Sequence, residues 1–248
     1  GGKLMKKKRK TILRVLYSLI SLFLIIVTII FSAFNSYANS VINSSSVDDF
    51  TKHNGYLSFD EIPSHIVDAF ICIEDETFWT NNGYNLKSMA RGIYVSISSG
   101  GDNLQGGSTI TQQLVKNIYL TQEQSVLRKI KEFFIAAKFN DKYTKKQTIE
   151  FYINNCYYAN NCYTIESASL LYFGLNPAEL SLSQSAYLCA IPNSPTAFNP
   201  LKNPKAAIKR RDLILEKMLE RGCISQKEYN EAIAEEITIN TSDIPTTK

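Results

Sequence analysis

An uncharged apolar run near the start of the chain constrains its fold more than any other feature. No charged residue occurs from Val15 to Val47, and the 20 residues from Val15 to Phe34 are almost continuously apolar. A helix of about 20 such residues crosses the hydrocarbon core of a bilayer, which is roughly 30 Å thick. We therefore predict a single transmembrane signal-anchor helix over residues 15–38.

The charges before this run predict its orientation. Residues 1–14 contain seven basic side chains and no acidic one. Lysine and arginine collect on the cytoplasmic side of a span, so we expect a basic cytoplasmic tail over 1–14 and an extracytoplasmic chain after Asn39, anchored in the plasma membrane. A signal peptide cleaved after Ala38 is the alternative, although the apolar run exceeds the ~7 to 15 residues usual for signal peptides.

The basic tail also accounts for the positive net charge. Of the 27 basic residues, 20 lie beyond the tail, where there are also 23 acidic residues. The chain after residue 14 therefore has a slightly negative net charge. Nucleic-acid-binding domains normally carry a basic surface. We therefore expect no nucleic-acid partner. The sequence predicts two final helices, one from about Pro204 to before Gly222 and one after Ser225, and the lack of basic charge disfavours a DNA-binding helix-turn-helix there.

Beyond the span, apolar residues recur at helical spacing without useful strand-like alternation, which predicts a mainly α domain. Residues 39–61 are rich in Ser and Asn and lack periodicity, so we predict a stalk. The domain then begins at Ile62, where Pro63 and Ser64 mark a helix start, and runs over 62–237, followed by a tail over 238–248.

Two segments between Ala69 and Asn117 contain the side chains best suited to chemistry. Glu74 follows an apolar helix face, and a partly desolvated carboxylate is a candidate general acid or base. Ser108 follows two glycines and is a good N-cap for a helix whose N-terminus would attract anions. The plainer alternatives are a solvated acidic helix end and a capped surface helix.

Both segments resemble the motifs of the peptidoglycan glycosyltransferases, glycosyltransferase family 51. Its first motif, E-D-x-x-F-x-x-H-x-G, is matched by Glu74, Asp75, Phe78 and Gly83. Its second, G-x-S-T-I-T-Q-Q-L-x-K-N, matches residues 106–117 without a miss. Residues 128–132 resemble the third motif, R-K-x-x-E, and 145–154 and 166–192 are similar to the fourth and fifth. On spacing alone, Arg128 and Glu132 are also an ordinary intrahelical ion pair.

The resemblance implies a lysozyme-like glycosyltransferase domain that joins lipid II, a disaccharide-pentapeptide on undecaprenyl diphosphate, into β-1,4-linked glycan with inversion. Glu74 would be the general base, and Glu132 the second catalytic carboxylate, near the leaving diphosphate. A divalent cation, Mg²⁺ or Mn²⁺, at the diphosphate is left open. Implied partners are lipid II, the nascent glycan strand, the membrane and other cell-wall synthesis proteins. The implied substrate-binding residues are Asp75, Phe78, Ser108, Thr109, Thr111, Gln112, Gln113, Lys116, Asn117, Arg128 and Lys129.

Four positions depart from the family pattern. Asn81 stands where the first motif has histidine, Gln124 where arginine often precedes the third, Leu175 where lysine follows Tyr-Phe-Gly, and Gln184 where glutamate is usual. Both catalytic glutamates are kept, so we expect a divergent but competent enzyme with weaker diphosphate binding. A scaffold that binds lipid II without turnover, a lytic transglycosylase and a purely structural anchored domain are the alternatives.

Five cysteines complete the set of notable residues. Cys156 and Cys162 flank a five-residue segment, and we expect them to form a disulfide in an extracytoplasmic domain. Zinc is not expected, because His53 and His65 lie at no metal-like spacing from the cysteines.

Overall fold

The computed structural model describes residues 2–240, apart from 47, 53, 89, 92–93, 95–106, 122 and 124. Across these residues the chain is helical and contains no strand, which confirms the predicted mainly α class. The sequence predicts a further helix from Leu86 to Ile97 and a loose loop over 98–103. Residues 86–88, 90, 91 and 94 are helical, and the rest of these two segments lies outside the described residues. The α-helices are α1 (Gly2–Asn43), α2 (Asp48–Thr51), α3 (Ser64–Glu74), α4 (Ile110–Tyr119), α5 (Val126–Lys142), α6 (Lys145–Asn154), α7 (Ile165–Phe173), α8 (Leu182–Ala190), α9 (Pro204–Glu220) and α10 (Gln226–Ala234), with 3₁₀ turns at Pro177–Glu179 and Ile191–Asn193.

The first helix is longer than predicted and continues into the domain. By length and composition, its part from Lys7 to Asn43 can cross a membrane. Large apolar side chains from Ile12 to Phe31 are exposed, whereas Ala38 and Ile42 are buried against the domain. An apolar exposed surface followed by a buried end is the pattern of a helix that leaves lipid and enters a protein core.

The structure differs from the predicted stalk, because several of the described residues within 39–61 pack on the domain. Phe50 is buried, and Tyr56, Leu57 and Phe59 pack against the core. The backbone of Leu57 also exchanges two hydrogen bonds with the Asn154 side-chain amide, at 3.0 and 2.8 Å. The high content of Ser and Asn predicted a stalk, because composition and periodicity do not show that a few apolar residues pack on the domain through tertiary contacts.

Two helix groups form the core and position the site. Helix α3 packs against α8 and α9, while α4 packs against α5 and α6. The apolar face predicted for α3 is buried through Ile66, Ala69 and Phe70, so its last residue reaches the boundary of the core. Side-chain N-caps fix where most of the other helices begin, each typically contributing about 1 kcal/mol. These caps are Thr109, Ser125, Thr144, Thr164, Ser181 and Ser225.

The predicted disulfide between Cys156 and Cys162 is wrong for this structure, since both are free thiols. The intervening residues 159–161 have positive φ and form a tight turn closed by a 2.8 Å bond from the Tyr158 N–H to the Cys162 carbonyl. This turn directs the Cys162 thiol to the Ser167 carbonyl, at 3.5 Å. Cys156 is instead buried beside Tyr152.

Candidate active site

Glu74 ends α3 with its carboxylate almost buried, its side chain being 9% exposed. The Gln113 amide donates to Oε2 at 2.8 Å, and the Asn193 amide donates to Oε1 at 3.3 Å. The Arg210 guanidinium reaches the same Oε1 at 3.5 Å. Three separate elements thus converge on one carboxylate: helix α4, helix α9 and the 3₁₀ turn that follows α8.

A second hydrogen bond fixes the Gln113 amide. The Tyr152 hydroxyl donates to Gln113 Oε1 at 3.1 Å, which leaves the amide nitrogen facing Glu74. Tyr152 is fully buried, and this burial raises the pKa of its hydroxyl well above the ordinary value. The hydroxyl therefore stays protonated and remains a donor.

Asp75 connects the first motif to the second. Its buried carboxylate accepts from the Ile110 N–H at 3.1 Å, at the N-terminus of α4, and from the Asn81 amide at 2.9 Å. A carboxylate at a helix N-terminus satisfies free N–H groups and complements the helix dipole. These contacts give Asp75 a positioning role toward α4.

Several predicted binding residues are buried supports in the structure. Thr109 donates to the Gly83 carbonyl at 2.7 Å and forms a capping box with Gln112. Thr111 and Phe78 are fully buried. We therefore assign these four residues to the scaffold under the site, and assign no substrate contact to Phe78.

The second carboxylate, Glu132, lies buried among cations on α5. Arg128 contacts its Oε2 at 3.2 Å, and the Lys129 ammonium contacts Oε1. Lys129 also donates to the Ser108 hydroxyl at 2.7 Å, and the Gln112 amide donates to Glu132 Oε1 at 3.3 Å. The ion pair suggested by spacing is thus part of a larger network that connects α5 to the start of α4.

Lys116 adds a third cation to this group. Burial, together with the neighbouring charges of Arg128 and Lys129, lowers its pKa below the ordinary lysine value, although Glu132 opposes the shift. Within the described part of the chain, Lys116 forms no ion pair. Three cations around one carboxylate leave an excess of positive charge suited to an anionic group.

The site does not fit a metal held by protein ligands alone. Both oxygens of Glu132 are already contacted by the cations of Arg128 and Lys129. Across residues 2–240 with the gaps given above, no three His, Cys, Asp or Glu side chains are grouped so as to hold a metal ion. We derive no step through a metal.

An open cavity of about 280 Å³ adjoins both the first motif and the start of the second motif. Glu74, Asn85, Gly107, Ser108 and Arg221 are among the residues that line it. The cavity brings the predicted base and the start of the second motif to one surface. Of the other predicted residues, Asn117 is exposed on α4, and Gly106 lies outside the described residues.

Three departures from the family pattern have structural explanations. Asn81 donates to Asp75 and accepts from the Gly83 N–H at 2.8 Å and from Lys145 at 2.9 Å, so its amide serves as a connector. Gln184 forms the capping box of α8 with Ser181, a role that Gln and Glu fill equally. Leu175 packs against the core. The fourth, Gln124, lies outside the described residues.

Sequence reasoning missed Arg210 and Asn193. They are 136 and 119 residues from Glu74 in the chain, and neither belongs to a motif recognised from the sequence. Tyr152 lies within 145–154, the segment similar to the fourth motif, but the sequence alone assigns it no role. The available sequence signal for Arg210 was the basic pair Arg210-Arg211 inside an otherwise amphipathic helix.

Comparisons with known proteins give consistent results. Residues 41–219 match the protein-family model described as Transglycosylase. The monofunctional glycosyltransferase of Staphylococcus haemolyticus is 36% identical over 242 residues, covering 93% of this chain and 86% of the relative. Penicillin-binding protein 1A of Aquifex aeolicus is 41% identical over 184 residues, covering 74% of this chain and 25% of the relative.

A solved structure, penicillin-binding protein 1A from Haemophilus influenzae, superposes with a TM-score of 0.45 at 20% identity, covering 75% of this chain and 18% of that one. The chain spans about a quarter of the length of the Aquifex and Bacillus subtilis penicillin-binding proteins that it matches.

Proposed function

Because the chain belongs to the transglycosylase family, we propose that it is a peptidoglycan glycosyltransferase that polymerises lipid II into β-1,4-linked glycan. One observation carries the proposal. The adjacent residues Gln112 and Gln113 on α4 donate to Glu132 and Glu74, at 3.3 and 2.8 Å respectively. A single rigid helix thus holds both candidate catalytic carboxylates.

In this proposal Glu74 is the general base. It takes the proton from the 4-hydroxyl of the incoming lipid II as that oxygen forms a bond to C1 of the growing chain's terminal sugar. The bond from C1 to the diphosphate breaks on the opposite face, which inverts the anomeric centre. Gln113, Asn193 and Arg210 hold the carboxylate in place, and positioned proton transfer of this kind typically contributes about 10² to 10⁴ in rate.

The cations on α4 and α5 stabilise the departing undecaprenyl diphosphate. Lys116, Arg128 and Lys129 form the positive side of the site, and preorganised charge is worth most where water is excluded. Glu132 fixes the positions of Arg128 and Lys129 rather than accepting the nucleophile's proton. Ser108, which accepts from Lys129, holds that lysine at the start of α4.

The apolar helix α1 keeps this site beside a substrate that stays in the bilayer. With the basic residues of the tail on the cytoplasmic side, the domain lies on the extracytoplasmic face of the plasma membrane. In that orientation we expect other cell-wall synthesis proteins to be among its partners.

Purified full-length protein in detergent, incubated with lipid II, tests the proposed activity. We expect a ladder of glycan products on a gel and stoichiometric release of undecaprenyl diphosphate. Binding of lipid II without product would instead identify a scaffold. Cleavage of preformed glycan would identify a lytic transglycosylase.

A further inference from the structure

Two of the five thiols face each other at the edge of the cavity. Cys72 lies on α3, two residues before Glu74, and Cys223 lies in the turn between α9 and α10. Their Sγ atoms are 3.3 Å apart, although the residues are separated by 151 positions in the chain. Cys72 is buried, whereas Cys223 is exposed.

An ion pair joins the two segments that carry these thiols, and the turn is open at Gly222, the residue before Cys223. Arg221 forms a 2.6 Å ion pair with Glu76, which joins the same turn to the residues after α3. Gly222, between Arg221 and Cys223, has a φ of +70°, and a Cβ placed there would meet nothing within 4 Å. A disulfide brings its two sulfurs to roughly 2.0 Å, which is about 1.3 Å closer than they lie here.

We propose that Cys72 and Cys223 are a redox-modification site that forms an intramolecular disulfide by exchange with a small disulfide oxidant such as glutathione disulfide. The Cys223 thiolate attacks one sulfur of the oxidant and releases the other as a thiol. Cys72 then loses its proton and attacks Cys223 Sγ, which releases the second half of the oxidant. Two protein thiols are oxidised to one disulfide, and one oxidant disulfide is reduced to two thiols.

Exposure and acidity set the order of these steps. An oxidant reaches the exposed Cys223 directly. Burial, reinforced by Cys223, raises the pKa of the Cys72 thiol to about 12, and the charge of Arg221 opposes this shift. Cys72 is therefore a poor first nucleophile, and it reacts once a mixed disulfide is held beside it.

The bond would cross-link the wall of the cavity. Cys72 and Arg221 line the same cavity as Glu74, so the disulfide ties the end of α3 to the turn after α9. Closing a loop of this length restricts the unfolded chain strongly, and the oxidised domain becomes more resistant to unfolding. The proposal concerns the chain's own thiols and does not depend on the proposed activity.

The experiment oxidises the reduced, full-length protein in detergent with glutathione disulfide, then alkylates it under denaturing conditions for intact-mass analysis and peptide mapping. We expect two of the five thiols to escape alkylation and one cross-linked peptide to contain Cys72 and Cys223. The midpoint of thermal unfolding should rise by roughly 5–15 °C.

Matched variants separate this pair from the other thiols. Cys223→Ser should abolish both the cross-link and the stabilisation, whereas Cys162→Ser should keep both. Cys72→Ser should retain glutathione on Cys223, which shows that the entry thiol is reachable. Five alkylatable thiols after oxidation, glutathione retained on wild-type Cys223, or a cross-link to any other cysteine would each overturn the proposal.

Discussion

At the scale of single residues, a short chain of hydrogen bonds orients the candidate base. Tyr152 donates to Gln113, and Gln113 donates to Glu74, so the tyrosine hydroxyl decides which end of the amide faces the carboxylate. Without that donor the amide can rotate and present its oxygen to Glu74, which would repel it. Tyr152 thus acts on Glu74 through Gln113 as a positioning residue.

Tyr152→Phe should lower kcat with little change in KM. The loss of one buried hydrogen bond is worth about 1 kcal/mol, which corresponds to roughly a fivefold fall in rate. The control is Tyr158→Phe, since the buried Tyr158 hydroxyl donates to the Ile153 carbonyl at 2.8 Å, away from Glu74. Steady-state kinetics and thermal unfolding of both variants check this prediction. Equal kcat losses in the two variants would show that Tyr152 acts through stability alone.

Lys116 links the activity of the site to pH. Its lowered pKa means that its charge is lost at a lower pH than for an ordinary lysine. We therefore expect kcat/KM to fall as the pH rises, and to do so at a pH below ~10.4, the pKa of a free lysine. The unfolded chain binds this proton more tightly than the native one, so the same group makes stability rise with pH between the two pKa values.

Lys116→Arg tests this assignment, because arginine keeps its charge throughout the range. The variant should retain activity and flatten the alkaline limb of the profile of kcat/KM against pH. Lys138→Arg, on the partly exposed part of α5, is the matched control and should leave the limb in place. An unchanged limb in the Lys116 variant would assign the pH dependence to another group.

At the scale of elements, the turn after the first motif fits closely against α5. Gly83 has a φ of +84°, and a Cβ there would lie 2.8 Å from Asn140 Cβ and 2.9 Å from the Ala136 carbonyl oxygen. Its own carbonyl accepts from the cap of α4. One glycine therefore sets the spacing between the first motif, α4 and α5.

Gly83→Ala should destabilise the domain by about 3 kcal/mol, because left-handed strain and a backbone clash add together. Gly222→Ala has similar strain but open space around its Cβ, and should cost only about 1 kcal/mol. Denaturant unfolding of the two variants measures the difference. Equal losses would show that α5 moves aside at no cost.

The sequence predicted the elements better than their contacts. The second motif located α4, since capping and helical spacing are local signals. The predicted N-cap, Ser108, is wrong by one residue, because the Thr109 side chain accepts from the Gln112 N–H and caps the helix instead. Arg210 and Asn193 could not be placed beside Glu74 in the same way, because the packing of α3 against α9 is a tertiary effect. The replacement of the motif histidine by Asn81 contributes to the expectation of weaker diphosphate binding, whereas in the structure the Asn81 amide connects Asp75, Gly83 and Lys145.

At the scale of the whole molecule, α1 is joined to the domain by aromatic packing. Phe31 and Phe34 contact the Phe134 ring at centroid distances of 5.1 and 5.3 Å, and Phe134 lies on α5, the helix of Glu132. The predicted stalk would have separated membrane and site. The observed packing instead attaches α5, which carries Arg128 and Lys129, directly to the apolar helix α1.

The double variant Phe34→Ala, Phe134→Ala should lose less stability than the sum of the single variants. Stacked aromatic pairs typically show a coupling of about 0.5–1.5 kcal/mol. Phe34→Ala combined with Tyr163→Ala, an exposed ring that pairs with Tyr157, should be additive. Thermal or denaturant unfolding of the full chain in detergent measures both cycles. Additivity in the first would show that α1 and α5 are not coupled.

The most direct test of the account is the rate of lipid II polymerisation by Glu74→Gln, measured beside its affinity for lipid II. The carboxamide cannot take the proton of the 4-hydroxyl, so we expect at least a ~10²-fold loss of rate with folding and lipid II binding retained. Glu231→Gln, an exposed change on α10, should keep the wild-type rate. A Glu74→Gln protein that keeps more than about a tenth of the wild-type rate would contradict the base role assigned to Glu74.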